Sequence, residues 1–167
     1  MKKSIKVIFK ELLPYVLIVI VVLFIKMYIV SPIRVNGESM YSTLHDGDIM
    51  LLDEASYRFS DIERFDIVVI KYNDEYLIKR VIGLPGEIVS CKDNTIYIGG
   101  KKVKENFKHA KTSDFDDVKI SDDEYFVLGD NRVNSIDSRM IGNIKKDLIK
   151  GKSSFTLFPF SRFGKKN

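Results

Sequence analysis

A serine that could act as a nucleophile lies in the segment NGESMYSTL, residues 36–44. Gly37 precedes Ser39 by two positions, and a glycine there lets the backbone approach a substrate closely. A serine hydroxyl reacts well only when a base takes its proton and donors stabilise the oxyanion, for which the Ser39 amide is a candidate. Serines near glycines are also common in turns, so this segment alone is weak evidence for catalysis.

A candidate base lies in YLIKRVIGLPGE, residues 76–87. Strand alternation places Lys79 on the same face as Leu77 and Val81, which predicts a desolvated amine. Burial disfavours the ammonium form, so we expect the pKa of Lys79 to fall from about 10.4 towards the neutral range. A neutral amine can act as a general base. The alternative is a lysine at a sheet edge whose amine reaches water.

A third polar feature, GDNRVNSIDSRMIG at 129–142, follows the strand-like run EYFVL. Its polar side chains are Asp130, Asn131, Arg132, Asn134, Ser135, Asp137, Ser138 and Arg139. Asp–Arg pairs and Asx turns can brace an irregular backbone, and one hydroxyl can orient the lysine. Both interpretations stay open, for different members of the group.

Two other nucleophile or base assignments are weaker. Cys91 is the only cysteine, so the chain can form no internal disulfide, and GEIVSCKDN is typical of a strand that ends in a turn. We interpret Cys91 as a small strand residue rather than a nucleophile paired with His45 or His109. His45 lies between STL and DGD, where we expect a solvated turn, although a triad with Ser39 remains an alternative.

The N-terminal part predicts a membrane anchor. Residues 12–30 are largely apolar, and nineteen residues of helix span about 28 Å, close to the thickness of a hydrocarbon core. A cleaved signal peptide would have a similar start, but the run is long and the bulky MYIVSPIRV offers no cleavage site. Lysines precede the span and only Arg34 closely follows it, which favours a cytoplasmic segment 1–11 and an extracytoplasmic domain 31–167.

The charge distribution argues against a nucleic-acid partner for the main body. Residues 1–30 carry five lysines against Glu11, while the net charge of the chain is +4. The remaining residues therefore have equal numbers of basic and acidic side chains. A basic patch for a polyanion is not expected there.

The part after the anchor predicts a mainly β fold. Short apolar runs are separated by turn sequences, with little helical periodicity. The predicted strands are 48–54, 65–72, 76–83, 87–92, 95–103, 124–130 and 153–160. Residues 104–123 are polar and predict a loop, and 60–65 predict one helical turn. Many short strands favour a coiled, antiparallel, barrel-like sheet after one N-terminal transmembrane helix.

Four segments, GESMYSTL, RFDIVVIKY, YLIKRVIGLPGE and GDNRVNSIDSR, resemble the conserved boxes of bacterial type I signal peptidases in order and character. The lysine in the third box resembles the bacterial serine–lysine type, and the short loops resemble the compact Gram-positive enzymes. The resemblance implies a membrane-bound serine endopeptidase that removes signal peptides from exported preproteins after small residues, through an acyl-enzyme. Its partners would be preproteins and the lipid bilayer, with no cofactor and no metal.

The resemblance also implies roles for single residues. Ser39 matches the nucleophile, Lys79 the general base, and Ser135 the hydroxyl that hydrogen-bonds the lysine amine. Asp137 and Arg139 match an ion pair that braces the site. Three further supporting positions are Asp130, Arg132 and Ser138.

The chain departs from the pattern of these peptidases at two positions. Gly37 stands where some relatives carry a serine that donates to the oxyanion, so the second donor is the Gly37 amide, a water or nothing beyond Ser39. We expect a backbone substitute, because losing one such donor can cost about 3 kcal/mol. Ser42 replaces the proline of SMxPT, which we expect only to loosen a turn.

Substrate recognition is predicted beside IRVNG, residues 33–37, where an extended peptide would add main-chain hydrogen bonds. The candidates for shallow apolar pockets are Val35, Met40, Leu44 and Leu77, and an ordinary core role is equally compatible with each. Two other protein classes fit less well. A repressor-like serine–lysine peptidase would carry a DNA-binding module, and a non-catalytic binding module would need no buried lysine opposite a serine.

Overall fold

A computed structural model of the chain describes residues 5–28 and 30–166, with the side chains of 9–23 and 30–166. The predicted segment 1–11 and the predicted anchor 12–30 therefore lie partly outside the described residues. The first helix, α1 (Ile5–Tyr28), leads directly towards the first strand and contacts it. Judged on the described residues, no helix combines the length and the hydropathy that a membrane crossing needs.

The remaining described chain is dominated by strands. They are β1 (Val30–Arg34), β2 (Ile49–Asp53), β3 (Ile67–Tyr72), β4 (Glu75–Gly83), β5 (Ile88–Lys92), β6 (Thr95–Ile98), β7 (Lys101–Lys102), β8 (Phe115–Lys119), β9 (Glu124–Leu128), β10 (Ile144–Lys145), β11 (Ile149–Phe158) and β12 (Gly164–Lys165). Short helices are α2 (Ser56–Phe59) and α3 (Ser138–Ile141), with 3₁₀ turns at Lys146–Leu148 and Phe160–Arg162.

The strands form two antiparallel sheets. The larger sheet has the order β1-β2-β11-β3-β4-β9-β10, and β12 pairs with β11. The smaller sheet has the order β7-β6-β5-β8. The prediction of a mainly β, antiparallel architecture is thereby confirmed.

Hairpin turns were predicted more accurately than the polar region that follows them. Asn73 and Asp74, between β3 and β4, both have positive φ, which suits a tight two-residue hairpin. In contrast, the prediction of a loop over 104–123 missed β8. Its FDDVK sequence has only two apolar residues, Phe115 and Val118, which face the core and give a weak strand pattern. The predicted helical turn at 60–65 is also wrong, since the turn is α2.

Alternation along β3 and β4 separates two apolar clusters. Ile67 and Val69 belong to one cluster, whereas Val68 and Ile70 belong to the other, so β3 is buried on both faces. Lys79 lies opposite Val68 in the ladder and thus points to the second face, as predicted. A third cluster, which includes the buried Cys91, joins the smaller sheet to β4 and β9.

Candidate active site

The buried amine of Lys79 meets the hydroxyl of Ser39. Lys79 is 2% exposed, and its Nζ lies 2.7 Å from the Oγ of Ser39. The same Nζ donates to the carbonyl of Ile78 at 3.1 Å. Desolvation by burial lowers the pKa of Lys79 to about 8, although the charge of Asp137 acts in the opposite direction. Near neutral pH a useful fraction of the amine is therefore unprotonated and able to accept a proton.

Ser39 is held in a tight turn between β1 and β2. The next residue, Met40, and Leu44 are both buried in the first apolar cluster and anchor the turn on either side. The amide of Leu44 donates to the carbonyl of Met40 at 2.9 Å, and Val35 bonds back to the carbonyl of Asp48 at 2.8 Å. The backbone around Ser39 is thus fixed by packing of its neighbours into the core.

The loop after β9 supports this turn from the other side. The amide of Asn131 donates to the carbonyl of Ser39 at 3.0 Å, and its side-chain amide donates to the carbonyl of Glu38 at 3.0 Å. Gly129 has no room for a side chain, since a Cβ there would lie 2.4 Å from the carbonyl oxygen of Ser39 and 2.2 Å from the Oγ of Ser135. The close approach explains why a glycine occupies this position.

Asp137 and Arg139 form a bidentate ion pair beside the site. The guanidinium of Arg139 donates through Nε and Nη2 to the two carboxylate oxygens of Asp137, each at 2.8 Å. The buried Asp137 also accepts from the amide of Gly129 at 3.1 Å and from the amide of Arg139 at 3.3 Å. Its carboxylate therefore fixes both ends of the loop between β9 and α3.

Asp130 pairs with an arginine that the sequence did not single out. Arg80, next to Lys79, donates from Nε at 2.8 Å and from Nη2 at 2.6 Å to Asp130, and both side chains are fully buried. The hydroxyl of Thr43 donates to the same carboxylate at 2.5 Å. The guanidinium also lies 3.9 Å from the ring centroid of Phe107. The sequence feature that could have indicated this pair is an arginine within a strand whose other residues, apart from Lys79, are mostly apolar.

Arg132 and Ser138 complete the supporting polar contacts. Arg132 donates from Nε to the carbonyl of Gly129 at 3.0 Å, and its buried guanidinium also bonds Glu105 and Thr112. The hydroxyl of Ser138 accepts from the amide of Val127 at 2.9 Å. Both side chains therefore hold the backbone at the end of β9. The sequence did not indicate Glu105 or Thr112 as partners of Arg132.

Ser135 does not hydrogen-bond the lysine in this structure, although the resemblance implied such a bond. Its Oγ is buried and has no hydrogen-bond partner among residues 30–166, while Nζ of Lys79 bonds Ser39 and Ile78 instead. The Oγ of Ser135 nevertheless lies beside the turn that carries Ser39, since it and the carbonyl of Ser39 both approach Gly129 closely.

Gly37 and Ser42 both take conformations that the sequence did not reveal. Gly37 has φ +85°, and its amide donates to Oδ1 of Asp46 at 2.8 Å, so the expected backbone substitute for an oxyanion donor is already engaged. Ser42 has φ +89°, which proline cannot adopt, and its hydroxyl donates to the carbonyl of Lys108 at 2.8 Å. Ser42 thus forms a different, tethered turn and does not merely loosen one.

The remaining candidates lie in or against the core. Val35 is buried with Met40 and Leu44 in the first cluster, and Leu77 packs against the second. His45 is half-buried rather than fully solvated: its Nδ1 is buried without a partner in the described part of the chain, and its ring packs edge-on against Tyr41. Lys79 is the basic side chain that hydrogen-bonds Ser39.

Residues 8–158 match the family described as signal peptidase, peptidase S26. The chain belongs to the bacterial type I signal peptidases. It is 41% identical over 165 residues to signal peptidase I S of Bacillus subtilis (strain 168), covering 91% of this chain and 90% of that one. It is 42% identical over 162 residues to a signal peptidase I of Bacillus amyloliquefaciens, covering 90% and 88% of the two chains.

A solved structure is similar to a little over half of this chain. A crystal structure of a signal peptidase I from Enterococcus faecalis V583 aligns with a TM-score of 0.51 and 34% identity, covering 56% of this chain and 97% of that one. This peptidase is accordingly a hydrolase of the serine type that removes signal peptides.

Proposed function

We propose that Ser39 is the nucleophile and Lys79 the general base of signal-peptide removal. The observation that carries this proposal is the 2.7 Å contact between the Oγ of Ser39 and the buried Nζ of Lys79. The neutral amine takes the hydroxyl proton while Oγ bonds to the scissile carbonyl carbon. The resulting ammonium then protonates the leaving amine, which departs and leaves an acyl-enzyme.

Deacylation uses the same amine in reverse. Lys79 takes a proton from a water as the water oxygen attacks the Ser39 ester, and it returns the proton to Oγ when the ester bond breaks. The oxyanion of both steps is stabilised by the amide of Ser39, which has no acceptor among the described residues. Because the Gly37 amide already donates to Asp46, we assign Gly37 no donor role in this conformation.

The other polar side chains position this pair. Asp137 and Arg139 hold the loop that contacts the nucleophile turn, and Asp130 joins Arg80 to Thr43. The remaining supports are Arg132 and Ser138, which bond backbone at the end of β9. The buried Oγ of Ser135 has no hydrogen-bond partner in the described chain. We infer that it accepts a hydrogen bond from the Lys79 amine in the acyl-enzyme, where Ser39 no longer has a hydroxyl.

An extended substrate fits the free edge of β4. Residues 75–79 pair with β3 on one side, while the pairing with β9 begins only at Arg80, so within the described chain their other edge has no strand. A peptide lying between this edge and residues 33–37 would gain main-chain hydrogen bonds. Val35, Met40 and Leu44 would form a packed apolar floor there, which would admit small side chains only. Leu77 packs against the second cluster on the other face of β4 and would lie outside this floor.

Residues 12–30 act as a membrane anchor in this proposal. The described apolar side chains of α1, from Leu12 to Leu23, are about half exposed, and such a surface needs an apolar environment. With residues 1–11 cytoplasmic and 31–167 outside, Ser39 lies near the outer membrane surface, where preproteins emerge. Alkaline extraction of membranes and protease digestion from outside test this. Release by alkali, or a domain accessible only from the cytoplasm, would contradict it.

The test of the dyad compares Ser39→Ala and Lys79→Ala on a preprotein in detergent. We expect each variant to lose at least about 1,000-fold in cleavage rate, because both groups take part in the same step. Lys71→Ala, an exposed lysine on the neighbouring β3, is the matched control and should cleave normally. Cleavage at the parent rate by either dyad variant rules out the assignment, provided that circular dichroism shows a folded protein.

A further inference from the structure

A polar segment between β7 and β8 crosses from the smaller sheet to the active site. We call residues 103–114 the strap. The carbonyl of Lys108 accepts from Ser42, the amide of Ala110 donates to the carbonyl of Asp130 at 2.9 Å, and Glu105 pairs with Arg132. The strap is therefore tied to both the nucleophile turn and the loop after β9.

Phe107 is the strap residue that contacts Arg80. The Cζ atom of Arg80 lies 3.9 Å from the centroid of the Phe107 ring, a distance at which a guanidinium is attracted by the ring face. The ring itself packs edge-on against Phe65 at 5.3 Å and in a tilted contact against His109 at 5.6 Å between centroids. A cavity of about 280 Å³ is lined by both Arg80 and Phe107, so water can reach this region when the ring is absent.

The Arg80–Asp130 pair connects the two halves of the dyad. Arg80 adjoins Lys79 on β4, and Asp130 accepts from Thr43 in the turn that carries Ser39. Water at this pair would weaken its attraction, because ion pairs are strong only where the surroundings are poorly polarisable. A looser pair would then let the amine and the hydroxyl drift from their 2.7 Å contact.

We propose that Phe107 is a positioning residue for the Ser39–Lys79 dyad, acting through Arg80 and Asp130. The proposal rests on the proposed function of that dyad. Phe107 would act on the reacting groups only through Arg80 and Asp130. Its ring stacks on the guanidinium and keeps water from the ion pair, and thereby holds β4 and the nucleophile turn in register.

The experiment compares Phe107→Leu with Phe107→Tyr in the full-length enzyme acting on a preprotein. Leucine keeps an apolar side chain but removes the ring face, whereas tyrosine keeps the face. We expect Phe107→Leu to lower kcat about tenfold with KM changed less than about twofold, and Phe107→Tyr to retain most of the parent kcat.

A pH profile separates positioning from a loss of folded protein. If the dyad loosens, Lys79 becomes more hydrated, so its pKa in the free enzyme rises from about 8 and the acidic limb of kcat/KM moves to higher pH. The charge that faces Lys79, on Asp137, is unchanged by the substitution. A drop in folded fraction alone would scale the whole profile without moving the limb.

Phe115→Leu is the matched control. Phe115 packs against Phe126 with centroids 5.4 Å apart in the same part of the molecule, and it belongs to the apolar cluster of the smaller sheet. It should lower stability and leave both kcat and the limb at parent values. A Phe107→Leu enzyme with the parent's kcat and limb, or a Phe115→Leu enzyme with the same shifts, overturns the proposal.

Two further variants keep the result decisive. Should Phe107→Leu fail to fold, Phe107→Met replaces it under the same criteria, because methionine adapts to irregular space. Lys79→Ala is assayed in parallel. Loss of cleavage in Lys79→Ala beside normal Phe107 variants refutes the positioning role alone, whereas an active Lys79→Ala enzyme refutes the dyad and with it the positioning role.

Discussion

Lys79 and Arg80 are neighbours on one strand, and both are buried, yet their surroundings differ completely. Lys79 contacts a hydroxyl and a carbonyl. Arg80 contacts a carboxylate through two parallel hydrogen bonds and an aromatic face. Successive residues of a strand point to opposite faces, so these two adjacent cations lie in separate environments.

The difference shows how a protein chooses between a reactive and a structural cation. A buried ammonium without a hydrogen-bonded carboxylate loses affinity for its proton, so the pKa of Lys79 falls to about 8. Arginine keeps its charge in proteins, so Arg80 needs the full pairing that Asp130 provides. The unpaired cation is suited to proton transfer, and the paired one to holding the strand in place.

Breaking the paired side should have the largest effect on stability. Asp130→Ala leaves the guanidinium of Arg80 buried without its carboxylate, so we expect the free energy of unfolding to fall by about 3–5 kcal/mol. Urea titration followed by circular dichroism measures this. Asp116→Ala, on the exposed side of β8, should change it by less than about 0.5 kcal/mol. Equal effects of the two substitutions would contradict the comparison.

Removing the unpaired amine should have the opposite sign. Lys79→Met should raise the free energy of unfolding at pH 7 by up to about 3 kcal/mol, the value of a pKa lowered from 10.5 to about 8. Below pH 8 the parent is destabilised by the full amount, because folding buries a charged amine. The destabilisation disappears as the pH rises to 10.5, where the amine is neutral in the unfolded chain as well. Urea titrations should therefore show that Lys79→Met stabilises the protein less at pH 10 than at pH 7. A variant less stable than the parent at pH 7 would contradict this explanation.

The rate of cleavage should follow the same ionisation. Since the proposed base is the neutral amine, kcat/KM should rise about tenfold per pH unit below a pKa of about 8 and then level off. Initial rates on a preprotein between pH 5 and pH 10 measure the profile. A profile that stays flat down to pH 5 would rule out Lys79 as the base.

The smallest effect is expected from His45, the base of the alternative triad. His45→Ala should change kcat/KM less than about threefold, because the amine of Lys79 already occupies the hydroxyl of Ser39. The same preprotein assay applies. A loss of several orders of magnitude would instead support a triad containing His45.

Local patterns in the sequence predicted the strands that carry the base. Alternation alone placed Lys79 on the face with Leu77 and Val81, and turn residues marked the hairpin between β3 and β4. The same reasoning failed for β8, where few apolar residues mark the core face. It also did not foresee that the Nδ1 of His45 is buried without a partner among residues 30–166, and the lysine bond implied for Ser135 is absent from this conformation. Such details depend on which segments pack together, and no local periodicity encodes them.

By itself the sequence determined the family, the strand alternation that buries Lys79, and the choice of Ser39 and Lys79 as the proposed reacting residues. Only the tertiary structure decided how the charges pair. Asp130 meets Arg80, fifty residues earlier, and Arg132 meets Glu105 from the strap rather than a carboxylate of its own loop. Several Asp–Arg pairings fit the sequence equally well. The choice among them depends on which groups the folded chain desolvates together, since ion pairs become strong only after water has been excluded.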